Sequence, residues 1–151
     1  MSKICCFAGH NIDYDNKVGS KLRKECENLI ANENINEFWV GNYGKFDTLA
    51  AETVKKLKLT YSHINLNLIL PYFTNEINEN KEYYKKMFDN ILLADIPDST
   101  PPKFRIIKAN QYMVNNSDFL ACFIEHPWGG AYKTFKYAKT KKHIKIINIA
   151  L

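Results

Sequence analysis

Arginine is scarce in this 151-residue chain: of 21 basic residues only Arg23 and Arg105 carry a guanidinium, and the rest are lysine. Base reading in DNA leans on the bidentate Arg fork and on basic residues interleaved with aromatics. The formal charge of +5 therefore implies a solvated lysine surface with a general attraction for phosphate, and argues against nucleic acid as a partner. Long apolar runs are also missing. The longest, residues 144–151, is broken by Lys145 and Asn148 and falls short of the ~18 residues a membrane span needs. The first residues lack the basic, apolar and small-residue order of a signal peptide, so the chain reads as cytoplasmic, without a membrane partner. Cys5, Cys6, Cys26 and Cys122 form no C-x-x-C pair and have no His at zinc-site spacing. Reduced, buried thiols are expected, with no metal and no cofactor. No Ser, Cys or His is paired with a base in the manner of a nucleophile, so no catalytic residue is assigned. Neither a P-loop nor G-x-G-x-x-G occurs.

What is present is an ordinary globular composition, 46% apolar and 25% charged, of a length that makes one domain over residues 1–151. Residues 3–8, 35–40, 64–70, 119–124 and 144–149 are near-continuous apolar runs ended by Gly, Pro or Asn, which marks buried strands. Between them, apolar residues recur at helical spacing over residues 20–34, 47–57, 104–116 and about 131–141, with Asp47 expected as an N-cap. Residues 75–98 suggest a helix carrying Tyr83, Tyr84, Met87, Phe88, Ile91 and Leu92, then an extended piece near Asp95-Ile96-Pro97. Alternation of helices with apolar strands predicts an α/β, Rossmann-like fold: an open, mostly parallel sheet of five to six strands with helices on both faces.

In such a sheet the breakers Gly9-His10, Gly41-Asn42-Tyr43-Gly44 and Trp128-Gly129-Gly130 all lie along the carboxyl edge, where open α/β sheets bind ligands. The two glycines before Asp47 let backbone approach a ligand, with Asp47 and the loop amides on a ribose or phosphate. Equally, they make a plain glycine turn with an Asp cap. Gly129-Gly130 opens a helix whose first turn carries Lys133 and Thr134, a grammar that suits an anion. His10 has the chemistry to bond a ligand or move a proton; a loop histidine with a local partner is the alternative. Tyr43, Tyr72, Phe73, Trp128 and Tyr132 fall at the same edge, where an aromatic face can stack on a base.

These residues, read in order, resemble a known family. Cys5-Cys6-Phe7-Ala8-Gly9-His10, the run from Gly41 to Glu52, Pro71-Tyr72, the run from Asn110 to Asn115, and Gly129-Gly130 with Thr134 and Tyr137-Ala138 resemble the YpsA-like branch of the SLOG superfamily. That superfamily also holds DprA-like proteins and the LOG phosphoribohydrolases. The resemblance implies a Rossmann-like nucleotide-binding domain, commonly oligomeric. Three departures stand out. Asn11 and Ala109 stand where the family often has Arg, and the helix after Gly129-Gly130 carries Lys136 and Tyr137 where LOG enzymes place a catalytic Glu. With two guanidinium groups and an acid/base group unmatched, the resemblance points away from phosphoribohydrolase activity.

The resulting expectation is binding without catalysis. A small nucleotide-derived ligand (an ADP-ribose derivative, a cyclic nucleotide or a mononucleotide) would be held by Gly9, His10, Asn11, Gly41, Asn42, Gly44, Asp47, Pro71, Tyr72, Asn110, Trp128, Gly129, Gly130, Lys133 and Thr134. The protein would act as a sensor, or as a sponge sequestering a nucleotide immune signal in phage anti-defence. The competing reading is a nucleotide N-glycosidase or phosphoribohydrolase with Asp47, Glu52 or Glu125 as acid/base. The hydrophilic stretch Asn75, Glu76, Asn78, Glu79, Asn80 is expected to be a lid. A homodimer or homotetramer is expected through an apolar surplus at Tyr112, Met113, Phe135 and Tyr137.

Overall fold

The computed structural model describes residues 2–151. Six strands, β1 (Ile4–Gly9), β2 (Glu37–Val40), β3 (Asn65–Leu70), β4 (Asn90–Leu93), β5 (Phe119–Phe123) and β6 (Lys145–Asn148), alternate with helices α1 (Asn16–Asn32), α2 (Lys45–Leu57), α3 (Asn75–Glu79), α4 (Lys81–Met87), α5 (Pro102–Asn116) and α6 (Gly130–Lys139). The sheet is parallel throughout, in the order β4-β3-β2-β1-β5-β6. The chain winds outward from β1 to β4, then returns past β1 to lay down β5 and β6. Its direction reverses between β1 and β5, which is the topological switch point of the fold.

Strand residues alternate between two cores. Cys5 and Phe7 of β1 and Phe119, Ala121 and Phe123 of β5 face one cluster, with Leu22, Cys26 and Leu29 of α1 and Phe46, Ala50 and Val54 of α2. Cys6, Ala8, Leu120 and Cys122 face the other, with Ala109 and Met113 of α5 and Ala138 of α6. Burial on both faces is what makes these strands read as unbroken apolar runs, and each fully buried Leu or Phe contributes roughly 1.5–3 kcal/mol. All four cysteines are free and buried, and burial pushes the thiols of Cys6 and Cys122 up to about 12. They are inert packing groups.

At four places the structure refines or replaces the sequence reading. Ile91 and Leu92 belong to a strand, β4, and α3 and α4 replace the single helix; no strand forms at Asp95-Ile96-Pro97. Second, the hydrophilic stretch forms α3 and its C-cap: Asn75, Glu76, Asn78, Glu79 and Asn80 are exposed, while Ile77 between them, with Tyr84 and Phe88, joins the α1–α2 core. Third, Asp47 is not an N-cap. It is the third residue of α2, whose N-cap is Gly44. Fourth, the apolar side chains on α5 and α6 are partly covered within the chain: Met113 is buried, while Tyr112, Phe135 and Tyr137 are half-buried against the second core. Tyr112 stacks on Trp39 with ring centroids 5.9 Å apart, and the Tyr137 hydroxyl donates to Asn115 Oδ1 over 2.8 Å. Among the described residues no helix is long and apolar enough to cross a membrane.

Candidate functional site

The carboxyl ends of β1 and β5 open onto a cleft of about 370 Å³, whose lining includes Gly9, His10, Asn11, Asp47, Asn110, Gly129, Gly130 and Thr134. One wall is the start of α6. No side chain caps that helix, so its leading N–H groups keep their hydrogen-bonding capacity for a ligand. The Thr134 hydroxyl donates back to Gly130 O over 3.1 Å. Gly129 has φ +94°, a backbone conformation that favours glycine. Gly130 differs: a Cβ added there would meet nothing within 4 Å. No contact within the protein requires glycine at 130, an exposed residue that lines the cleft.

Beside it stands a pile of three rings, of which His10 and His126 line the cleft. His10 stacks on His126 with centroids 3.5 Å apart, and His126 stacks on Trp128 at 3.9 Å. His10 Nε2 accepts the backbone N–H of Glu125 over 3.0 Å and lies 3.4 Å from that of His126. The ring is therefore neutral at that nitrogen and ties the loop after β1 to the loop after β5. Desolvation lowers the His10 pKa, helped by His126 and opposed by Glu125. His10 thus has the local partner that sequence reasoning offered as its alternative. The polar atom left over is His126 Nδ1, buried without a hydrogen-bond partner in a residue that lines the cleft.

The loop between β2 and α2 borders both this cleft and a second one, of about 400 Å³, between α2 and the α3–α4 pair. Asp47 lines both. Its Oδ2 accepts the Tyr43 N–H over 3.0 Å, so the residue reaches back from the third helical position to the loop before it. Desolvation pushes the Asp47 carboxyl up to about 6, and the Tyr43 N–H only partly opposes this. A carboxyl with a folded-state pKa above the unfolded value of 3.8 favours folding when protonated. That contribution is complete below about pH 4 and is lost as pH rises through about 6. We expect Asp47→Asn to gain roughly 2 kcal/mol on the wild type between pH 4 and pH 7 in denaturant unfolding, at about 1.4 kcal/mol per pH unit. A pH-independent difference would contradict this environment for Asp47.

The remaining residues singled out from sequence divide as follows. Gly41 and Asn42 line the second cleft. Asn11, though on the first cleft, spends its Oδ1 on the Lys45 N–H over 2.9 Å; it fastens the start of α2, against Gly44. Pro71, Tyr72, Trp128 and Lys133 line neither cleft. Arg105 sits over the Tyr72 ring at 5.6 Å, and Trp128 is 64% exposed. Of the carboxylates weighed as acid or base, Asp47 and Glu52 share the second cleft and Glu125 is exposed. Sequence reasoning missed His126, whose signal was its position after β5 opposite His10, and Glu76 and Tyr84 in the second cleft. Among the described residues no cluster of three His, Cys, Asp or Glu side chains forms a metal site.

The family model described as the YspA SLOG family matches residues 4–150. A UPF0398 protein of Halalkalibacterium halodurans is 28% identical over 130 residues, covering 81% of this chain and 68% of that protein. DNA processing protein A (DprA) from Streptococcus pneumoniae superposes with a TM-score of 0.65 at 14% identity, covering 96% of this chain and 49% of that one. DNA processing protein A from Helicobacter pylori, solved for its single-stranded DNA binding mode, gives 0.63 at 15% identity, covering 91% and 61%. The chain thus spans about half to three fifths of these solved chains, and at such identities the likeness is one of fold.

Proposed function

The chain belongs to the YspA SLOG family, and from that premise we propose that it binds a phosphate-bearing, nucleotide-derived small molecule in the switch-point cleft, as a sensor or sequestering protein. The observation that carries the reading is the start of α6. A ten-residue helix opens uncapped onto the cleft through two glycines, the second of which has empty space at its Cβ. The positive end of the helix dipole and three free N–H groups favour a phosphate there. His126 Nδ1 supports the same reading, since a buried polar atom without a partner costs about 1–3 kcal/mol that a ligand hydrogen bond recovers.

Calorimetric titration with ADP-ribose, cyclic dinucleotides and mononucleotides is the test, and we expect at least one to bind at micromolar or lower Kd. Silence across all three classes would remove the proposal. Chromatography after long incubation is expected to return the bound nucleotide intact. Appearance of free base or ribose phosphate would instead make Asp47 and Glu52 candidates for acid/base chemistry.

Single-stranded nucleic acid is the second reading. The Helicobacter pylori protein was solved for its single-stranded DNA binding mode, which leans against the exclusion drawn from scarce arginine, and the exposed Trp128 ring on His126 is a stacking platform of the required kind. Retardation of an oligonucleotide at moderate salt that disappears in Trp128→Ala would favour this reading; no retardation would leave the small-molecule reading alone. A homodimer or homotetramer contact is proposed at the exposed Leu92, Leu93 and Phe104, and sedimentation as a monomer would dismiss it.

A further inference from the structure

We infer that the cleft between α2 and the α3–α4 pair is a compartment for a flat, amino-bearing group, the far end of the ligand whose phosphate sits at α6. This inference rests on the proposed function above. It follows from an inventory of the side chains that line the second cleft. Tyr84 Oη donates to Glu76 Oε1 over 2.8 Å, and Asn42 Nδ2 in turn lies 3.4 Å from Tyr84 Oη. Asn80 Nδ2 donates to Glu76 O over 2.8 Å and Thr48 Oγ1 to Gly44 O over 3.3 Å. Donors are therefore largely committed within the protein.

Acceptors are not. Glu52 has no hydrogen-bond or ion-pair partner, Asp47 uses only Oδ2, and Glu76 uses only Oε1. Three carboxylates and no Lys, Arg or His line the space. A second phosphate is repelled there, whereas N–H donors find ready acceptors. The Tyr83 ring supplies an aromatic surface, exposed and set edge-on to Tyr84 at 5.2 Å. Hydrogen-bond acceptors beside an aromatic ring recognise an amino-substituted heterocycle or an organic cation. Asp47, common to both clefts, joins the two compartments. The ligand class is therefore anionic at one end only, a nucleoside monophosphate type rather than one with a phosphate at each end.

Adenosine 5′-monophosphate and purine riboside 5′-monophosphate, which lacks only the amino group, should be titrated calorimetrically into the full chain and its Glu52→Ala and Gly130→Val variants. Glu52 is exposed on α2, so its truncation leaves the fold intact. We expect the amino nucleotide to bind about tenfold or more tightly than its analogue, and Glu52→Ala to erase that preference while changing the analogue by less than threefold; Gly130→Val should abolish both. Equal binding of the two nucleotides, unmoved by Glu52→Ala, would overturn this inference and leave the phosphate reading standing. If neither nucleotide binds, adenosine and agmatine decide. Binding of either that is lost in Glu52→Ala keeps the compartment and removes only the phosphate reading, and binding of neither removes both.

Discussion

Gly130→Val is expected to weaken binding of a phosphorylated ligand by at least a hundredfold, about 2.7 kcal/mol, while leaving the thermal midpoint within a few degrees of wild type. The two halves of this expectation come from one geometry. A Cβ at position 130 meets nothing within 4 Å, and position 130 is the first residue of α6, where helical propensity has little hold. Folding therefore has no reason to resist the change. A ligand does, because the added methyl groups occupy the space through which a phosphate reaches the leading N–H groups of the helix. The neighbouring Gly129 is unsuitable for the same test. Its φ of +94° with ψ of 172° adds roughly 1–3 kcal/mol of backbone strain to any other residue, and that would mix a folding defect with a binding one. Unchanged affinity in Gly130→Val would mean that the phosphate sits elsewhere.

The largest effect on stability is expected at Gly9→Ala. Gly9 is among the residues the sequence offers for holding a ligand, yet its nearest neighbour is internal. An added Cβ would lie 2.2 Å from Phe46 Cγ and 2.7 Å from Phe46 Cβ, too near the backbone for a simple swing of the ring. Phe46 is 1% exposed and packs in the α1–α2 core, with Tyr14 tilted against it at 5.3 Å. The clash must displace β1 or α2, and overpacking of this kind costs about 3 kcal/mol or more. Denaturant unfolding should show that loss. A double-mutant cycle with Phe46→Ala should recover part of it, since the truncation removes Cγ and the ring atoms that lie nearest the new methyl. Strict additivity in the cycle would contradict the contact as the cause.

The parallel sheet was readable because its central strands are buried on both faces, so β1, β3 and β5 stand out as apolar runs without helical periodicity. β4 was not readable for the opposite reason. It is an edge strand of four residues, three of them exposed, and it follows α4, from which Tyr84 and the C-cap Phe88 carry the apolar stripe into it. Asp47 illustrates a local ambiguity: an Asp near a glycine loop suits either an N-cap or a reach-back from the third helical position, and the extended Gly44 selects the second. His126 and the acidic cleft depend on strand order and on how α3–α4 folds back. Those are long-range facts that no spacing along the chain encodes. The glycine pair at α6 was legible because its chemistry is local.

The central claim is that an anion binds at the start of α6 in the switch-point cleft, and amide chemical shifts of the nitrogen-labelled protein during titration with adenosine 5′-monophosphate test it most directly. The account predicts saturable shifts centred on the amides of Gly129, Gly130, Ala131 and Tyr132, accompanied by the ring of His126, and absent in Gly130→Val. Shifts confined to exposed lysine-bearing surfaces, with the α6 amides unmoved at saturation, would contradict it.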